Sequence, residues 1–543
     1  MNNTLLRRIV LIFALLTLLP TFSLVAQDDT TVTTAFSEAQ PNTLDPHATR
    51  VADEVLVMRN VCEGLITYDP QTLEPVAGLA ESWEISEDGT VYTFTLREGV
   101  TFFDGSTLDA ADVKYSFDRL ADPNVGTSYM ARLILGEVIG WDAARPVVPT
   151  VGEGTPTPEP VEPADGISGV EVIDERTVQI TLRAPVTSFL TRLTLAAGAI
   201  IAEGSAEGSD FSTGPVCAGP FQVTEWVQQD HLTLAAHNAY YGGAPDVQEV
   251  VIRVIPEASS QVIEFEAGSL DMANAPEADL PRIRADENLN AQLVSIPTLS
   301  NYNFRINLND PKVGDVRVRK ALAMAIDRQT IVDTILQGQG TPAVGLYPPG
   351  LSTHDPEFNP FPYDIEAARA LLAEAGYPDG IDITVRTDQN ETENRVLNGI
   401  AAKLAADNSG INLIVSSTEA SVYTDDRTNC TMEIGGIRWG MDYPDPENMV
   451  VLLLPNAATR INCGYGDVDV APQLAELYQQ GISMPLGEER EEIFREIERI
   501  AMDNVLILPV YHGVATRLVS SRLGGIPVDN NGTMRFALIE LGE

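Results

Sequence analysis

Residues 78–105, GLAESWEISEDGTVYTFTLREGVTFFDG, decide the reading of this chain. Trp83 and Ile85, then Tyr92, Phe94 and Leu96, alternate with polar residues at the period of two that turns one face of a strand toward a core. Between the runs, Glu87, Asp88 and Gly89 supply turn chemistry, and Gly89 tolerates the positive φ of a tight connection. The stretch closes on Phe102, Phe103, Asp104 and Gly105. LDAADVKYSFDRL (residues 108–120) follows, where Asp109 is placed to cap a helix whose Val113, Phe117 and Leu120 share a face. The prediction is strand, turn, strand, helix.

Outward from this unit, length and charge set the frame. At 543 residues the chain is longer than one core usually supports, since chains divide beyond ~250–300 residues, and two lobes are expected. No internal repeat is evident. Against 34 lysines and arginines stand 78 acidic residues, a net charge of -44, which makes nucleic acid a poor partner. A field of that sign mildly favours amine-bearing ligands, although acidity as a solubility or salt adaptation is the plainer reading. Only Lys114, Lys312, Lys320 and Lys403 are lysines, so cationic work falls to arginine.

Arg7 and Arg8 precede an apolar run over residues 9–19 and small and polar residues near Ala26 and Gln27, the pattern of a secretory signal peptide over residues 1–26. The run is shorter than the ~20 residues of a bilayer span, although an uncleaved anchor is the competing reading. No cysteine sits at the cleavage region, so a lipoprotein anchor is unsupported. The expected location is across the cytoplasmic membrane, in the periplasmic or cell-envelope space. Residues 146–166, PVVPTVGEGTPTPEPVEPADG, read as an exposed proline-rich insertion loop, because strand pattern resumes at Val170, Val172, Val178, Ile180 and Leu182.

As an ordered string the chain resembles the family 5 solute-binding proteins of ABC importers, the dipeptide, oligopeptide and nickel-binding group. Beyond residues 78–105, the resemblance runs through CAGPF (217–221), with Cys217 and Ala218 in place of the usual Gly and Thr, then NAYYGGAP (238–245) and GSLD (268–271). It continues through the strand from Tyr302 to Asn307, DVRVRKALAMAIDR (315–328), YDIEAARALLAEAGY (363–377), WGMDYPDPEN (439–448) and VLILPVYHG (505–513). The resemblance implies an α/β, two-lobed periplasmic-binding-protein-like fold of type II with an inserted subdomain. Lobe I would comprise residues 27–72, 190–300 and 508–543, the insertion 73–189, and lobe II 301–507. It further implies a monomeric extracytoplasmic binding component that hands a small-molecule ligand, a peptide by preference, to a membrane ABC permease. The same fold holding an oligosaccharide or a metal chelate is the alternative.

The candidate ligand-binding residues centre on GGIRWGMDYPDPEN (435–448). Gly435 and Gly436 let backbone approach a ligand, Pro444 and Pro446 fix an irregular turn, and Trp439 and Tyr443 flank Asp442. In peptide-binding relatives the aspartate of W-x-x-D pairs with the ligand's α-ammonium, and Asp442 occupies that position, with Arg438 and Gly440 as neighbours. The competing reading has Asp442 capping a turn or pairing with Arg438. Further candidates are Asn42, Leu44 and Asp45 in a TLDP loop at the cleft mouth, and Tyr302, Asn303 and Phe304 on a strand between lobes, where core packing is equally consistent. Arg305 is a weaker candidate for a ligand carboxylate.

No HExxH, GxSxG or phosphate-cradling loop occurs, and neither a cofactor nor a metal is implied. His47, His231, His237, His354 and His512 are scattered, and His512 alone stands where some relatives place a metal or haem ligand. A secreted hydrolase using Asp442 and Asp445 as an acid/base pair is the rival from another class; the Pro-interrupted turn argues against it. The apolar stripes of residues 315–336 (Val318, Leu322, Ala325, Ile326; Asp315 as cap, Gly338 as stop) and 487–504 (Ile493, Ile497, Ile500, Ala501) read as core helices. Four cysteines allow three connectivities. The pairing Cys62 with Cys217 and Cys430 with Cys463 is preferred because each bridge then stays within one lobe.

Overall fold

The computed structural model describes residues 30–37, 40–125, 128–146, 163–208, 211–454 and 463–542. The signal-peptide reading and most of the proline-rich insertion lie outside these residues. The hairpin of residues 78–105 forms as strands Ala80–Ile85 and Val91–Leu96, with Trp83 opposite Phe94 and Ile85 opposite Tyr92. Gly89 takes φ 70° in the turn. Tyr92, Phe94 and Leu96 are buried, whereas Ile85 is 46% exposed because Ala80–Ile85 is the edge strand of its four-stranded sheet. The inner strand Val91–Leu96 pairs on its other side with Thr177–Thr181, which pairs with Val170–Asp174. The Asp109 carboxylate accepts from the N–H groups of Ala111 (2.7 Å) and Asp112 (3.3 Å), and Asp112 reciprocates at the Asp109 N–H (2.8 Å). That reciprocal cap starts helix Ala110–Ala121, which buries Val113, Phe117 and Leu120 on the sheet.

A second four-stranded sheet has the order Thr31–Ala35, Glu249–Arg253, His231–Ala236, Phe221–Val227. The first pair is parallel, the others antiparallel. Its core includes both Cys62 and Cys217, which are bridged with Cα atoms 5.0 Å apart. Cys430 and Cys463 are bridged as well, Cα to Cα 5.7 Å.

The largest sheet, of seven strands, ties the two halves together. Its centre is the antiparallel pair Leu293–Ile306 and Ile507–Val519. Leu293 to Pro297 faces Leu518 to Val514 beside strand Met272–Asn274. Asn301 to Arg305 faces His512 to Ile507 beside strand Ile434–Gly440 and then the parallel strands Ile381–Thr387 and Ile411–Ser417. The ladder shifts register between Pro297 and Asn301, where Gly513 lies against Thr298 and Ser300. A Cβ at Gly513 would meet both hydroxyls, so a larger residue there would have to displace them.

The stripe over residues 315–336 is not one helix. Asp315 caps Val316–Ala325 at the Arg317 N–H, but Ile326 is extended at ψ 111°. Asp327 then accepts from the Thr330 N–H at 3.1 Å and starts a new turn, Arg328–Thr330, running into a wide turn, Ile331–Ile335. A second capping carboxylate inside the apolar stripe breaks it. Helix Glu488–Asp503 forms; of its expected stripe Ile497 and Ala501 are buried, Ile493 and Ile500 are partly buried against the core, and Phe494 is buried beside them.

Candidate functional site

Strand Ile434–Gly440 leaves the seven-stranded sheet and its continuation carries Asp442 to a cavity of about 510 Å³. The opposite walls come from helix Ala52–Val61, from Leu195 to Ala197, and from Arg517 with Asn531 to Met534. Gly440 and Asp442 line this space; the other sequence-derived candidates are not among its lining residues.

Asp442 is held by neutral donors. The Tyr129 hydroxyl, from helix Ser128–Leu135, donates to its Oδ2 at 2.7 Å across 313 residues of sequence. The Asn448 amide reaches the same oxygen at 3.4 Å, and the Asp442 N–H donates to Asn448 Oδ1 at 3.2 Å. Among the described residues no cationic side chain lies within ion-pairing distance of Asp442, so the pairing with Arg438 does not form. Burial pushes its carboxyl above the usual aspartate range, against the opposing hydrogen bonds from Tyr129 and Asn448. A carboxylate that is partly desolvated, held in place and without a cation is suited to receive one.

The rest of the loop is closed. Tyr443 is buried in the core of the inserted sheet and donates to Glu447 Oε1 at 2.5 Å. The same oxygen accepts from Ser188 Oγ (2.7 Å) and Arg192 Nη2 (2.6 Å). Burial raises the Glu447 carboxyl, but Arg192 and these hydrogen bonds outweigh it and hold the group below its ordinary range. Asp445, also buried, pairs with Arg490 at 2.8 Å. Pro444 and Pro446 thus belong to a knot that staples residues 443–447 onto the segment around Ser188 and Arg192.

Trp439 is half-buried against the core of the large sheet, and Arg438 stands opposite Tyr302 in the strand pairing. Tyr302 and Phe304, two apart on one face of their strand, are fully buried in the core cluster that packs on the large sheet; the Tyr302 ring stacks on Tyr511 at 5.4 Å. Asn303 and Arg305 form a buried polar ladder: Asn303 donates to Asn301 Oδ1 (2.7 Å), while Arg305 donates to Asn303 Oδ1 (2.7 Å) and to the Leu452 carbonyl (3.0 Å). Room at Gly435 and Gly436 is filled by Met432, Tyr423 and Tyr302, leaving no open approach to a ligand there. Leu44 is buried, Asn42 is exposed, and Asp45 clamps Arg119 bidentately at 2.9 and 2.5 Å while capping His47. This TLDP loop leads into helix Ala52–Val61 but does not itself line the cavity.

His512 is buried, its ring 6.2 Å from that of His354; burial, then His354, lower its pKa to about 3. No cluster of three metal-ligating side chains occurs among the described residues. Sequence reasoning missed Tyr129, Arg50, Arg59 and Arg517, all brought to the cavity or to Asp442 by distant parts of the chain. None carries a local motif; the excess of acids over bases, which makes any unpaired arginine unusual, was the one signal present.

Comparison with known proteins places these observations in a family. The family model of bacterial extracellular solute-binding proteins, family 5 (middle region), matches residues 74–459. The periplasmic oligopeptide-binding protein OppA of Escherichia coli is 27% identical over 531 residues, covering 95% of this chain and 94% of that one. Heme-binding protein A of Haemophilus influenzae is 27% identical over 493 residues, 86% of this chain and 84% of the relative. Among solved structures, that of HbpA2 from Haemophilus parasuis superposes with a TM-score of 0.80 at 25% identity, over 94% of this chain and all of the other.

Proposed function

The chain belongs to the bacterial extracellular solute-binding proteins of family 5, and from that premise we propose that it is the extracytoplasmic binding component of an ABC importer for peptides. In this reading the signal peptide over residues 1–26 directs export, and the protein works as a monomer that delivers its ligand to a membrane permease. No described helix is long and apolar enough to cross a membrane.

The observation that carries the peptide assignment is Asp442: a half-buried carboxylate on the wall of a 510 Å³ cavity, fixed by Tyr129 and Asn448, with no cationic partner among the described residues. A volume of this order is typical of sites for small ligands, which range over ~300–1,000 Å³. An α-ammonium set against Asp442 would complete the charge pair and offset the desolvation that raises its pKa. A relative of similar length binds oligopeptides by name, in line with this chemistry. A haem or metal-chelate ligand, as in the name of another relative, has less support, because no histidine lines the cavity among the described residues. The hydrolase reading lacks its second carboxylate: Asp445 is sequestered with Arg490.

Calorimetry with trialanine and its N-acetylated form, on wild type and Asp442→Asn, tests the proposal. Removing the carboxylate strands the ammonium and costs on the order of 2 to 4 kcal/mol, about 30-fold to 1000-fold in affinity for the free amine, with little change for the acetylated peptide. Equal losses for both ligands, or none for either, refute the assignment. Binding of the free amine should also weaken as pH falls through the elevated pKa of Asp442, because protonation removes the charge that the ammonium needs.

A further inference from the structure

A second cavity, of about 550 Å³, shares Arg59 with the cleft. It lies between the end of helix Ala52–Val61, the loop over residues 240–246 and the C-terminal strands Leu523–Gly525 and Ile539–Leu541. Its volume falls in the ~300–1,000 Å³ range of small-ligand sites. Glu63 stands on one wall, and the way it is held repeats that of Asp442. The Tyr240 hydroxyl donates to its Oε1 at 2.5 Å and the Tyr241 hydroxyl to its Oε2 at 2.6 Å, and among the described residues it has no ion pair. Burial pushes its carboxyl above the usual glutamate range, against those two bonds and the nearby charges of Arg535 and Arg97. Each oxygen thus accepts one bond of the two it can take.

Two arginines supply the opposite charge. Arg59 and Arg535 both line the cavity, and both lie over the Tyr68 ring, at 4.6 and 5.4 Å. Arg59 donates to the Thr194 carbonyl at 3.0 Å; its Nε is buried without a partner, and among the described residues no carboxylate pairs with it. Arg535 approaches Asp529 Oδ2 at 3.5 Å, an oxygen that already accepts from the Tyr68 hydroxyl at 2.8 Å. Arg535 favours the ionised form of Glu63 through space, yet the two do not form an ion pair. Asp246 and Glu540 also line the cavity, but they are exposed and their charge is screened by solvent. Pro220, Ile526, Leu538 and Ile539 add apolar surface.

Opposite charges that share a cavity without pairing set the chemistry of what fits between them. A simple anion would satisfy the arginines and be repelled by Glu63, and a simple cation would meet the reverse. We propose that this cavity is a second binding site, for a free α-amino acid with an apolar side chain, its ammonium on Glu63, its carboxylate on Arg59 and Arg535, and its side chain against Pro220, Ile526 and Leu538. The planar guanidinium fork matches a carboxylate, and a carboxylate held by neutral donors gains most from a charged one. The site is separate from the peptide reading of the cleft and does not involve Asp442.

Calorimetry on the full mature chain with L-leucine, N-acetyl-L-leucine and L-leucine amide decides the matter. Leucine should bind, and each capped form, having lost one charge, should bind about tenfold or more weakly. Glu63→Gln, which replaces the carboxylate by a neutral group of the same shape, should weaken leucine by a similar factor and leave N-acetyl-L-leucine unchanged. Arg535→Gln should weaken leucine and leave the amide unchanged; if that variant does not fold, Glu63→Gln and the capped ligands still give the answer. Trialanine at saturating concentration should not displace leucine. Absence of leucine binding at millimolar concentration, equal binding of the capped forms, undiminished binding by Glu63→Gln, or displacement by trialanine each overturns the proposal. Failure of trialanine itself to bind refutes the peptide reading of the cleft and leaves this site to be decided by Glu63→Gln and the capped ligands.

Discussion

Asp442 and Glu447 lie five positions apart on one loop, and their surroundings differ in kind. Glu447 Oε1 accepts three donors, one of them the Arg192 guanidinium, and its side chain is wholly excluded from solvent. Asp442 accepts from a phenol and an amide and faces a cavity. The arginines show the same division. Arg192 and Arg490 are consumed by carboxylates in the loop, while Arg50, Arg59 and Arg517 line the cleft with no ion pair among the described residues. A charge already matched inside the protein holds the fold together. A charge held in place but unmatched is available to a ligand.

The largest effect that would break this contrast is on the matched side. Glu447→Ala leaves Arg192 buried without its carboxylate and is expected to cost about 3–5 kcal/mol of folding stability. Chemical denaturation at neutral pH measures it; a loss below about 1 kcal/mol would mean the knot is not structural. Because the Glu447 pKa is lowered in the fold, its contribution is present above the unfolded glutamate pKa and disappears as pH falls through the folded one. Next in size, the double variant Cys430→Ser, Cys463→Ser opens a bridge spanning 33 residues and should lose roughly 3 to 4 kcal/mol in the chain-entropy description, while peptide discrimination persists. Discrimination lost with the bridge would show that the loop carrying Asp442 depends on it.

Glu498 sharpens the comparison as a third case, buried and, among the described residues, hydrogen-bonded through its carboxylate to backbone N–H groups. Its carboxylate accepts from the N–H groups of Leu346 (2.5 Å) and Tyr347 (3.3 Å), and burial raises its pKa to about 7. A raised carboxyl contributes stability fully present below the unfolded pKa near 4.5 and lost as pH rises through 7. Glu498→Gln, which cannot ionise, should lose less stability than wild type between pH 5 and pH 8, by up to about 3 kcal/mol. Identical pH profiles would remove this case. The smallest effect belongs to Tyr129→Phe, which deletes one hydrogen bond to Asp442 and should cost about 1 kcal/mol of stability. Discrimination against N-acetylated peptides should survive it; abolished discrimination would transfer the recognition role from Asp442 to Tyr129.

Much of the fold was legible because its signals are local. Strand alternation, the Gly89 turn and the Asp109 cap each act within a few residues, and all appear where the pattern places them. Where two local signals compete the stripe alone misleads, as at Asp327, whose capping carboxylate interrupts the helix expected over residues 315–336. Asp442 was legible through its flanking motif. Its Tyr129 partner and the Glu447 to Arg192 pair were not, since they join segments 313 and 255 residues apart. Alternation marked Tyr302 and Phe304 equally for core and cleft, and packing from distant segments on that face of the sheet puts them in the core.

The most direct test of matched against unmatched charge is a crystal structure of the protein with trialanine. The account predicts the α-ammonium within about 3 Å of an Asp442 carboxylate oxygen, with Glu447 still bonded to Arg192 as in the free protein. A peptide whose ammonium lies elsewhere, or whose carboxylate sits at the Asp442 end, would contradict it.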